Sequence, residues 1–269
     1  MKGCLRTIVF LIVVYNVLRL LISVFTSTTT EFIYVEPACD EYVFLDSLTN
    51  DRVHQREWTI PNQGDSYCMK YSTFQSTAQL LSDRRAKVRA RLSDENFWGG
   101  IYAQLVAQTE DELDYLADSL QQVAQKLELT ALDLAKLTVS YVQDIPYSFV
   151  IPSDCVHIRT DGKPCLGNVD YGIISPYEFV HSLYGDCDTR AVLLYVLLQR
   201  MNFDPMIVVS NEYAHAMLAL NIPAQGEYLR HNGKKYYFWE TTAKGWSIGM
   251  LPPDTNNKSY WKIALVNES

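Results

Sequence analysis

Apolar and polar positions follow a different rhythm in each part of the chain. Thr7 to Phe25 spans 19 residues and is largely apolar, with clear polar breaks at Asn16, Arg19 and Ser23. That length of helix crosses a bilayer core. Between Glu31 and Tyr71, short strand-like runs (Phe32–Val35, Tyr42–Leu45, Glu57–Ile60, Tyr67–Tyr71) are separated by Pro37, Asp51 and Pro61-Asn62-Gln63-Gly64. They predict a small β-rich or irregular region over 27–75. From about Ser76 to Gln143 the period is helical. Thr109-Glu110-Asp111-Glu112 has the form of a capping box for a stripe at Leu113, Leu116, Leu120, Val123 and Leu127. Thr130 opens the next helix, which buries Leu134, Leu137, Val139 and Tyr141 and stops before Pro146.

The second half reads differently. Ser175-Pro176-Tyr177-Glu178 supplies a capping serine, a proline at the first helical position and a glutamate at the third. This short helix ends near Tyr184-Gly185, and Asp186-Cys187-Asp188-Thr189-Arg190 then leads into eight consecutive apolar residues, Ala191–Leu198. A run of that length without alternation predicts a buried helix beginning at Cys187. Strand candidates follow at Met206–Ser210, His215–Leu220 and Lys235–Thr241. Helices followed by antiparallel strands make an α+β fold over 76–269.

Charge and targeting narrow the setting. The net charge is −8, and residues 1–26 hold Lys2, Arg6 and Arg19 with no acid, which leaves −11 on the rest. A body so acidic has no reason to seek nucleic acid or an anionic lipid surface. The basic run Arg84-Arg85, Lys87, Arg89 and Arg91 is spread around a helix and reads as a solvated face. Lys2 and Arg6 precede the apolar span, so residues 1–26 are expected to be an N-terminal membrane anchor with the body outside the cytoplasm. Arg19 within the span costs roughly 2.5–3.5 kcal/mol at the bilayer centre, which the surrounding Leu, Ile and Val offset. Cleavage as a signal is the alternative, although Thr26-Ser27-Thr28 is a poor cleavage site.

Of six cysteines, Cys4 lies before the span and cannot meet the others. Four of the remaining five can form two bridges, Cys39–Cys68 and Cys155–Cys165 being closest in sequence, with a turn at Thr160–Pro164 inside the second. A zinc site at Cys155, His157 and Cys165 lacks a fourth ligand at ordinary spacing, so no metal is expected. Cys187 is left over, and an unpaired thiol in an oxidising compartment calls for a chemical explanation.

At the start of a buried helix, unpaired N–H groups favour thiolate over thiol and can donate to an oxyanion, while Asp186 and Asp188 oppose the thiolate. Gly185 is expected to free the backbone for a sharp turn into that helix. His215 lies between Ala214 and Ala216, which leave room for a substrate and for the cysteine. Glu240 ends the next strand candidate and can orient the imidazole if 215 lies opposite 240 in a hairpin. The Asn232-Gly233 turn conflicts with this, because it sets Glu240 opposite Gln225 unless residues 227–235 make their own excursion. Tyr184, Trp239 and Trp246 flank the site as a peptide groove or as packed core.

Gly185-Asp186-Cys187-Asp188, then Ala214-His215-Ala216 28 residues on, then Trp239-Glu240-Thr241-Thr242 with Gly245 and Gly249, resembles the transglutaminase-like superfamily. Tyr141–Tyr147 is similar to the segment before that family's core, and the likeness covers roughly 130–250. The resemblance implies a papain-like α+β core and a catalytic triad of Cys187, His215 and Glu240. It also implies acyl chemistry on amide bonds of protein or peptide substrates through a thioester, without cofactor or metal. Hydrolysis and crosslinking are both compatible with it, as is a catalytically silent binding or scaffolding module. The sequence departs from the family at one point: the usual Asp-Pro-Thr reads Glu240-Thr241-Thr242.

Overall fold

A computed structural model describes residues 39, 41–61, 63, 64, 66–109 and 111–267. The expected anchor over 1–26, Cys4, the tether and the strand candidate Phe32–Val35 lie outside the described residues. Among the described residues, no helix is long and apolar enough to cross a membrane.

Among the described residues, ten strands and six helices form a mixed α+β architecture with antiparallel main sheets. β1 (Tyr42–Leu45), β2 (Arg52–Thr59) and β3 (Ser66–Thr73) form a three-stranded antiparallel sheet. Alternation along β3 buries Tyr67, Met69 and Tyr71 on one face. That face joins Trp58, Ile60 and the inward residues of the following helices in one apolar cluster. Trp58 Nε1 donates to the Leu137 carbonyl within it.

The helical stretch resolves into α1 (Gln75–Arg85), α2 (Phe97–Gln108), α3 (Asp114–Lys126) and α4 (Ala131–Asp144). Thr130 caps α4 as expected, accepting from the Asp133 N–H. Thr109 does not open α3. Its hydroxyl donates back to the Leu105 carbonyl at the end of α2, and Glu112 is drawn into an ion pair with Arg84. The basic run is not a uniformly solvated face either: α1 stops at Arg85, and that guanidinium is largely buried on Glu178.

α5 (Pro176–Ser182) carries the full capping box between Ser175 and Glu178. α6 (Cys187–Arg200) is buried along its length from Thr189 to Leu198 and packs on β6 (Asp204–Ser210) and β7 (His215–Asn221). These belong to a five-stranded antiparallel sheet ordered β10-β6-β7-β9-β8, with β8 at Tyr228–His231, β9 at Lys234–Trp239 and β10 at Lys262–Val266. The register conflict at Asn232-Gly233 resolves through this order. Both turn residues have positive φ, β8 and β9 form the tight hairpin, and β9 uses its other edge for β7. A two-stranded pair, β4 (Phe149–Val150) with β5 (Cys165–Leu166), completes the fold.

Both expected disulfides are present, Cys39–Cys68 and Cys155–Cys165. The second occupies both sulfurs that a zinc site would have needed. Cys187 is the free cysteine among the described residues, and it is buried.

Candidate active site

Cys187 is the first residue of α6, with Asp186 as its cap; the Asp186 carboxylate accepts from the Thr189 N–H at 3.1 Å. The preceding turn is made differently from the sequence expectation. Leu183 takes the left-handed conformation at φ 60°, and Gly185 does not. Glycine is required at 185 for space, since a Cβ there would lie 2.8 Å from the Phe179 ring.

The Cys187 sulfur lies against β7, within hydrogen-bond reach of the Ala216 N–H, and its thiol donates to Asp188 Oδ2 at 3.4 Å. The Tyr102 hydroxyl of α2 donates to the other oxygen of Asp188. Burial, then the charges of Asp188 and Asp186, push the thiol pKa well above its ordinary value. This environment works against the thiolate that the helix N-terminus would favour. Burial also raises both aspartates, each further affected by neighbouring groups.

His215 begins β7, one residue before the amide that faces the sulfur. Its Nε2 bonds Glu240 Oε2 at 2.8 Å, which leaves Nδ1 as the remaining ring nitrogen. The pairing geometry differs from the hairpin expectation. Leu218 lies across from Trp239, so continuing the register sets Glu240 across from Met217 and diagonal to His215. The two side chains share a sheet face, and glutamate has the length to cross the diagonal. Glu240 Oε1 accepts from the Thr241 N–H, the Thr242 N–H and the Thr242 hydroxyl at 2.8, 2.8 and 2.6 Å. Burial raises this carboxyl, but the His215 and Thr242 contacts outweigh it, and the pKa lies below the ordinary value. Trp261 adds an edge-on ring 5.9 Å from the imidazole.

The three flanking aromatics do not form one surface. Tyr184 is exposed on the loop before Cys187. Trp239 is 2% exposed and belongs to the core, its Nε1 bound to the Trp246 carbonyl. Trp246 instead lines a small cavity of 220 Å³ with Ile60, Gln143 and Trp239. A larger cleft of 630 Å³ is lined by Phe97, Trp98, Val209, Asn211 and Lys262 with Asp94 and Glu95. Two of its residues touch neighbours of the thiol: Trp98 stacks on Tyr102, and Val209 pairs with Ala216. The helical period at Phe97–Tyr102 was visible in the sequence, but its approach to Cys187 is long-range and left no local signal.

His215 thus has one ring nitrogen held by a buried carboxylate and the other left for a second partner, while the thiol is bonded to Asp188. Comparisons of the chain with family models, with curated proteins and with solved structures return no match.

Proposed function

We propose that this protein is a membrane-anchored, extracytoplasmic thiol enzyme of the transglutaminase-like kind, with a papain-like core, acting on amide bonds of protein or peptide substrates. The observation that carries the reading is the His215–Glu240 hydrogen bond of 2.8 Å on the strand whose Ala216 N–H faces the one free cysteine among the described residues. In this mechanism His215 Nδ1 takes the Cys187 proton as sulfur attacks the carbonyl carbon. First-turn N–H groups of α6 stabilise the oxyanion. The C–N bond breaks, the amine leaves with the proton from His215, and a thioester remains on Cys187. Water then releases an acid, or a second amine forms a new amide. No cofactor or metal is needed for either.

A non-catalytic binding module is the second reading. It is favoured by one observation, the burial and acidic neighbours that hold Cys187 as thiol. Incubation of the full-length protein with glutamine-containing peptide libraries, followed by peptide mapping, separates the two. An acyl adduct on Cys187 that disappears in Cys187→Ala supports the enzyme. Absence of any adduct, with no reaction toward an electrophilic peptide mimic, favours the module.

A further inference from the structure

Arg190 is fully buried, at 0% exposure, three residues after Cys187. Its guanidinium has no carboxylate within ion-pair distance among the described residues and donates instead to five backbone carbonyls. Nε bonds Gly185 at 3.1 Å; Nη1 bonds Val142 at 2.8 Å and Thr241 at 3.4 Å; Nη2 bonds Ile145 at 2.7 Å and Pro146 at 2.8 Å. Its flat faces lie near Phe179 and Tyr147, 5.5 and 5.7 Å from the ring centroids.

A buried cation satisfied only by carbonyl dipoles is costly, and a well-packed apolar residue would be the more stable occupant. Structure alone does not call for it. The carbonyls it joins are informative. Gly185 ends the turn into Cys187, Thr241 follows Glu240, and Val142, Ile145 and Pro146 close α4. One rigid fork therefore ties the nucleophile's turn to the acid's strand end, which a single ammonium could not do. The groups acting on Cys187 are Asp186 at the cap of α6, Asp188 on α6, Tyr102 on α2 and Tyr147 between α4 and β4, and His215 on β7 acts on Asp188. Two carboxylates, Asp186 and Asp188, oppose a nucleophile that must become an anion. Arg190 is the permanently charged cation of this set.

We propose that Arg190 is a positioning residue of the site, fixing the Cys187 turn against Glu240 through Gly185 and Thr241 and holding the fixed positive charge that favours the thiolate. The inference rests on the reading of Cys187, His215 and Glu240 as a catalytic unit. Burial lowers the Arg190 pKa only to about 10, so the charge persists at neutral pH.

The test uses the full-length protein and two readouts. The first is the pH dependence of Cys187 alkylation by iodoacetamide, followed by mass. The second is the rate of acylation by a peptide identified in the trapping experiment. Arg190→Met removes the charge and should raise the alkylation midpoint by about one pH unit or more. Arg190→Gln carries the same expectation if the methionine variant loses the native circular dichroism. Arg190→Lys keeps a charge but not the fork; its midpoint should stay within about half a unit while acylation slows about tenfold or more. A folded, uncharged variant with the wild-type midpoint would overturn the charge role, and wild-type acylation in Arg190→Lys would overturn the positioning role. If the wild-type protein forms no acyl adduct at all, the enzymatic reading fails separately, and the alkylation midpoints still decide whether Arg190 tunes the thiol.

Discussion

Two buried histidine systems sit in this chain, and their partners differ in kind. At the end of the five-stranded sheet, His215 faces a carboxylate that is itself held by three further donors. Between the three-stranded sheet and α5, His54 Nε2 meets the Thr73 hydroxyl at 3.3 Å, Thr73 meets His181 Nδ1 at 2.9 Å, and His181 Nε2 meets Gln75 Oε1 at 3.1 Å. These three bonds are consistent with both imidazoles neutral and carrying their protons on Nε2, while His54 Nδ1 stays buried without a partner among the described residues. Burial, then the charge of Arg52, the proximity of His181 and the charge of Arg56, lower the His54 pKa to about 4. The first system gives its imidazole a carboxylate partner; the second gives its imidazoles only neutral ones and is built against a proton. Partner and burial act together: a carboxylate faces the half-buried His215, while the fully buried His54 meets only a hydroxyl.

The sharpest way to break the comparison is Glu240→Gln. Two fixed backbone donors, Thr241 and Thr242, require an oxygen at the Oε1 position. The new amide nitrogen must then point at His215 Nε2 and donate to it. That forces the imidazole proton onto Nδ1, the nitrogen needed as base, so the site becomes wrong in tautomer with almost unchanged geometry. The expected loss in kcat is about 10³–10⁴-fold, as for other triads whose acid becomes an amide. Nitrogen-15 shifts of labelled histidine report the tautomer directly. A loss below tenfold would mean that Glu240 does not set the His215 tautomer.

The second test is acid. His54 has a folded pKa of about 4 against an ordinary 6.5, so the unfolded chain binds the proton more readily. Stability from this group is complete above pH 6.5 and is lost as pH falls toward 4. The loss amounts to at most about 3 kcal/mol. His54→Phe should flatten that part of the stability–pH curve, measured by urea unfolding, and should leave the acylation rate within about twofold. A curve as steep as wild type would remove His54 as its cause.

What the sequence disclosed follows the range of each interaction. Ser175 to Glu178 is a contact within one turn, and the capping box was legible. The disulfides followed from counting, because a single cysteine had to remain. His215 and Glu240 were identified from local context, but their register was not, since β9 pairs on both edges and the sequence gives only the β8 side a turn signal. Thr109 failed as a cap because Arg84, 28 residues upstream of Glu112, competes for that acid. Arg190 gave one unused signal, a lone cation at the head of an eight-residue apolar run. Its five carbonyl partners come from three separate segments and could not be read in advance.

The smallest effects separate the two histidine systems most cleanly, because each contains a threonine that valine can replace at nearly equal size. Thr242→Val removes the 2.6 Å hydroxyl donor to Glu240 but keeps the backbone N–H. Two backbone donors and His215 remain on the carboxylate, so the cost should be about 1 kcal/mol, a five- to tenfold slower acylation. The carboxyl pKa, held down partly by this donor, should rise, and the acid limb of kcat/KM should move to higher pH by less than about one unit. Thr73→Val removes the hydroxyl that both accepts from His54 and donates to His181, in a site with 0% exposure. Both ring nitrogens lose their partner away from water, which should cost about 2 kcal/mol of stability, or roughly 4–8 °C in melting temperature. No group of this chain touches Cys187, so the acylation rate should be unchanged. If Thr73→Val slowed acylation as much as Thr242→Val does, α5 would be transmitting the state of the histidine chain to the Cys187 turn, and the two systems would have to be treated as one.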